Sequence, residues 1–68
     1  MNKVELSQNG AWYALEVEYD NQWNVFKAHG KMELECLVDD LVHDIKLDAE
    51  FYGRSEWLEL ANKLKEMK

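Results

Sequence analysis

Cys36, Asp39, Asp40 and His43 are the residues whose types and spacing come nearest to chemistry. Cys36 to Asp40 and Asp39 to His43 are both four-residue steps, which on a helix stack one side chain above another. Such a pair could grip an ion. A zinc site, however, takes three or four protein ligands and a shell of groups that orient them. One turn of an exposed helix supplies neither, so the group reads as solvated surface, with no metal or cofactor. A Cys–His nucleophile pair fails on distance. Cys36 and His43 are two turns apart, about 10 Å along a helix axis, well beyond hydrogen-bond reach. His29, the other histidine, could approach only if the chain folded back, and no third group stands ready to orient it. Carboxylates are abundant, but acid–base catalysis needs a pocket that shifts a pKa, and a chain this short has little room for one. Gly10, Gly30 and Gly53 are too scattered to form a phosphate-cradling loop. The expectation is a protein that is not an enzyme.

Charge is the stronger signal. Between Glu33 and Glu59 stand nine acids: Glu33, Glu35, Asp39, Asp40, Asp44, Asp48, Glu50, Glu56 and Glu59. Only Lys46 and Arg54 oppose them, so this segment carries minus seven in a chain of net charge −6. A helix face so charged repels nucleic acid and anionic membranes and attracts a basic protein surface.

The elements that position these residues follow from local patterns. Val4 and Leu6 alternate with Lys3, Glu5 and Ser7 ahead of Asn9-Gly10, a strong hairpin signal. With Asn9-Gly10 as the loop, Leu6 faces Tyr13, Val4 faces Leu15, and Lys3 meets Glu16. Asp20-Asn21-Gln22 marks a second turn. With Asn21-Gln22 as its loop, Val17 faces Phe26, Leu15 faces Ala28 and Glu16 approaches Lys27. The third strand runs from Trp23 to Ala28 and is closed by Gly30. Val4, Leu6, Tyr13, Leu15, Val17, Tyr19 and Phe26 then share one apolar face.

Leu34, Leu37, Val38, Leu41, Val42 and Ile45 recur at helical spacing. They fall within about 140° of arc, and Ala49 and Tyr52 extend the stripe. Leu47 and Phe51 lie off it, which leaves a break near Leu47-Asp48 as the alternative to the expected single helix from Glu33 to Tyr52, ended by Gly53. Ser55 is placed as the N-cap of a second helix, with Glu56 complementing its dipole. Trp57, Leu60, Ala61, Leu64 and Met67 form its stripe, and Lys63, Lys65 and Lys68 suit its end. The expected fold class is α+β: a three-stranded antiparallel meander packed on one face by two C-terminal helices (βββαα).

Residues 1–68 make one small domain. Cys36 is the single cysteine and there is no proline, so no internal disulfide braces the core. A lone thiol suits a reducing compartment. No apolar h-region follows the first residues, and no apolar run approaches a bilayer span. The expected location is cytoplasmic.

Two surfaces are candidates for partners. One is the acidic helix, with Glu35, Asp39, Asp40, Asp44 and Asp48 as the charges. Asp40 and Asp44 repel at four residues' spacing, and aspartate is a poorer helix former than glutamate. The other is the open sheet face, where Trp12 and Trp23 stand with Ala14 and Val25; tryptophan is common at binding hot spots. In size, charge and α+β design the chain resembles small acidic phage-encoded inhibitors of host nucleases, glycosylases or CRISPR complexes, a likeness that carries over no particular residue. The leading expectation is therefore an inhibitor that docks its acidic helix on the basic groove of a nucleic-acid-processing protein, anchored by Trp12 or Trp23, without touching nucleic acid or membrane. The alternative is a homodimer or assembly subunit that uses the open sheet or the second helix.

Overall fold

Three residues that accept positive φ shape the meander. The first turn has Gly10 at φ 62° and the second has Asp20 and Asn21 at 54° and 59°. Two consecutive positive values are the signature of a type I′ turn, whose twist matches the strands that it joins. The computed structural model describes residues 2–67. In it, β1 (Lys3–Asn9), β2 (Trp12–Tyr19) and β3 (Gln22–His29) form one antiparallel sheet in the order β1-β2-β3. Helices α1 (Lys31–Tyr52) and α2 (Glu56–Glu66) follow, so the βββαα plan holds. The expected role of Lys68 lies outside the described residues.

Both hairpin registers differ from the expected ones by two residues. The loops are Gly10-Ala11 and Asp20-Asn21, because Asn9 pairs with Trp12 and Tyr19 pairs with Gln22. A slip of two preserves which face each side chain occupies, so the apolar set is unchanged while its partners move. Leu6 opposes Leu15, which opposes Phe26, and Val4 opposes Val17. One apolar row thus crosses all three strands. Lys3 lies opposite Glu18, not Glu16, and its ammonium pairs with Glu5 at 3.2 Å. Glu16 sits between Glu5 and Val25, while Lys27 faces Ala14.

The helices cover the apolar face. Leu34, Val38, Val42, Ile45 and Ala49 of α1 pack with Trp57, Leu60, Ala61 and Leu64 of α2 over Leu15, Val17 and Ala28. Val4, Leu6, Tyr13, Tyr19, Phe26, Leu37 and Leu41 ring this cluster. Helix α1 lies against β3, and α2 reaches β1. No polar or charged side chain is buried among the described residues. Tyr52 leaves the expected stripe and is mostly exposed, with its ring edge-on to Trp57 at 6.0 Å. Helix α1 runs unbroken through Leu47-Asp48 and ends at Gly53 in the left-handed conformation, where the Arg54 N–H bonds the Ala49 carbonyl at 2.9 Å. Ser55 does not cap α2. It already has helical angles, its side chain makes no cap bond, and the helix opens on a tight turn in which the Trp57 N–H bonds the Arg54 carbonyl at 3.1 Å.

Gly30 joins the layers. Its N–H bonds the Ala11 carbonyl at 2.8 Å, and its own carbonyl accepts the Leu34 N–H at 3.2 Å, the first bond of α1. Its angles, φ 86° and ψ 164°, belong to a region open in practice to glycine alone. A Cβ here would meet nothing within 4 Å, so a side chain costs conformational strain and no clash. Gly30→Ala is expected to lower unfolding free energy by about 1–3 kcal/mol, read from urea denaturation. An unchanged midpoint would show that the strand-to-helix corner adapts freely.

Candidate protein-binding surfaces

Helical geometry decides which side chains of α1 act together. At 100° per residue, Asp40, Asp44, Leu47 and Phe51 lie within about 60° of one another, opposite the buried stripe. They form one ridge about 16 Å long at 1.5 Å per residue. All four are exposed. Phe51 is 82% exposed and Leu47 52%, which is unusual for large apolar groups placed side by side.

The five expected docking charges do not share this ridge. Asp40 and Asp44 lie on it. Glu35 and Asp39, both exposed, stand about 140–180° around the helix from Asp44 by the same geometry. Asp48 turns toward the sheet, where its Oδ2 accepts the Tyr19 hydroxyl at 3.0 Å. Among the described residues the ion pairs are Lys3–Glu5 and Arg54–Glu56, so Glu35, Asp40 and Asp44 have no cationic partner. Lys46, a base amid these acids, lies instead beside Lys65 of α2; a hydrogen bond that its neutral amine accepts from Lys65, and then the repulsion of like charges, push its pKa down. Glu35, Asp40 and Asp44 therefore stand uncompensated on the helix.

Tyr19 reports this field. Partial burial pushes its hydroxyl up to about 12; the bond to Asp48 and the charges of Asp48, Asp44 and Asp20 push the same way. The phenol is neutral in the fold and ionises near pH 10 in the unfolded chain. Its stabilising contribution is thus complete below pH 10 and is lost as pH rises through about 12. Tyr19→Phe is expected to flatten the fall in stability between pH 9 and 11.5, measured by urea melts of both proteins. Parallel curves for the two would dismiss the link.

Trp12 and Trp23 sit on the far side of the molecule. They project from the sheet face that the helices leave open, 52% and 62% exposed, with Val25 between them. The Trp12 ring leans on His29 at 4.8 Å between centroids. Ser7 and Ala14 are small, and they leave a shallow depression bounded by Trp12 and Lys27. On the same face Glu5 and Glu16 stand directly opposite each other, a like-charge pair that costs stability unless screened. Because sheet and helices form two layers, one flat partner cannot touch Trp12 or Trp23 and the α1 ridge together.

The apolar half of the ridge escaped the sequence reading, which took Leu47 and Phe51 only as a sign of a helix break. The usable signal was their four-residue spacing on the same face as Asp40 and Asp44. The structure adds a brace. Phe51 meets Tyr52 edge-on at 4.9 Å, Tyr52 meets Trp57 at 6.0 Å, and Trp57 meets Tyr19 at 5.2 Å. The Arg54 guanidinium lies 5.2 Å from the Trp57 ring centre and holds Glu56 at 2.6 Å. Aromatic contacts thus tie the exposed tip to the core.

Cys36 is exposed and forms no disulfide. Among the described residues, no three histidine, cysteine or acidic side chains stand close enough to hold a metal ion, and no helix is long and apolar enough to cross a membrane. Compared with protein-family models, with curated proteins and with solved structures, the chain matches none of them.

Proposed function

We propose that this protein is a non-enzymatic binding module of the phage-inhibitor type, which occupies the basic groove of a nucleic-acid-processing enzyme or a CRISPR-like defence complex. One observation carries the reading: Asp40 and Asp44 of α1 stand exposed with no ion-pair partner, although lysines are available elsewhere in the chain. Asp40 and Asp44 are about 6 Å apart along the axis, comparable to phosphate spacing on a nucleic-acid strand. Encounter with a basic groove is then fast and salt-sensitive. The test is capture of partners on the immobilised protein, followed by elution with salt and competition by duplex DNA or RNA. The expected partner is a nucleic-acid-binding protein released by both. A partner that holds equally well at high salt, or that ignores the competitor, removes the charge-mimic idea.

The exposed pair of tryptophans favours a second reading, self-association through the open sheet face. Light scattering across a dilution series decides it. A monomer throughout the micromolar range excludes it.

A further inference from the structure

The α1 ridge has two halves of different chemistry. Asp40 and Asp44 end it in charge, and Leu47 and Phe51 continue it in apolar surface without a break. The proposed docking surface therefore has its anchor on the same ridge, whereas Trp12 and Trp23 face away from it. We infer that the occupant of this ridge is a basic amphipathic helix of a partner protein: its apolar stripe covers Leu47 and Phe51 and its lysines or arginines meet Asp40 and Asp44. This rests on the charge-docking reading above and deepens it by naming the partner's chemistry.

Three features support that occupant. The ridge is straight and as long as about three turns of a facing helix. Interdigitation of side chains four apart is the common way for two helices to pack. A second copy of this chain is a poor occupant: run parallel, its Asp40 and Asp44 would repel these, and run antiparallel, they would lie against Leu47 and Phe51 with no cation to meet them. A charge-only partner would leave Phe51, at 82% exposure, in water, whereas binding surfaces bury aromatic anchors at their centre. The edge-on stack through Tyr52 to buried Trp57 restrains Phe51 before binding, which limits the ordering cost of association.

The test uses two labelled peptides of equal charge and length at low salt. One is a leucine–lysine peptide whose leucines form a single helical stripe; the other is oligolysine with glycine spacers. Fluorescence anisotropy reads the affinity of each. The wild-type protein is expected to prefer the amphipathic peptide at least tenfold. Leu47→Gln with Phe51→Gln keeps good helix formers at exposed positions and is expected to abolish that preference while leaving oligolysine binding unchanged. Trp12→Gln with Trp23→Gln is expected to retain it. Equal affinity for both peptides in the wild type, or a preference that survives loss of Leu47 and Phe51, overturns the inference while the charge reading stands. Failure of the wild type to bind either peptide overturns the charge reading and this inference with it. Circular dichroism melts show that each variant is folded.

Discussion

Trp57→Ala is expected to cost about 3–5 kcal/mol, the usual loss for a large aromatic side chain cut out of a core. The side chain is almost wholly buried in α2. It touches the Tyr19 ring of β2, the Tyr52 ring at the end of α1 and the Arg54 guanidinium of the connection. Truncation opens a cavity where sheet and both helices meet. A chain of 68 residues has a total stability of about 3–10 kcal/mol on per-residue averages, so this one change removes a third or more of it. The melting temperature should fall by at least about 12 °C, followed by far-ultraviolet circular dichroism. Trp23→Ala, which removes an exposed ring of the same size, should shift it little. Equal shifts for the two variants would mean that Trp57 does not organise the core.

Asp40→Lys combined with Asp44→Lys should weaken partner binding by about 2 kcal/mol, roughly thirtyfold, if each of two lost attractions and two new repulsions contributes about 0.5 kcal/mol. The effect should shrink as salt rises past physiological strength, because these groups are exposed. The same variant should fold at least as well as the wild type. It exchanges one like-charge four-residue pair for another, but it places two cations in a strongly acidic segment, and lysine forms helix more readily than aspartate. Weaker binding with undiminished stability separates a docking role from a structural one. Unchanged affinity would leave the aspartates as ordinary solubilising charges.

Much of the architecture was legible because each element carries its own signal. Alternation in Lys3–Ser7 and the stripe from Leu34 to Ile45 identify strand and helix with no help from the rest of the chain. Register was not legible, because a period of two cannot distinguish pairings that differ by two residues. Turn residues had to arbitrate, and both Asn9-Gly10 and Asn21-Gln22 looked as good as the loops in use. The row Leu6–Leu15–Phe26 is a property of three strands together, as is the failure of Ser55 to cap a helix whose start is set by the preceding turn. Of the proposed binding surface, the exposure of Asp40 and Asp44 followed from periodicity. The withdrawal of Asp48 did not, since its partner Tyr19 lies 29 residues away.

The placement of α2 has a consequence for biosynthesis. Four buried core residues, Trp57, Leu60, Ala61 and Leu64, come from this last helix, which reaches back to the first strand. As the chain is made from its N-terminus, the meander and α1 are complete before the residues of α2 that cover part of their apolar surface. They must wait until residues 57–64 are added, and at about 5–20 residues per second the stretch from Gly53 to Leu64 takes about 0.6–2.4 s. During it the nascent chain exposes the leucines and valines that chaperones grip, so cellular yield depends on how quickly α2 docks.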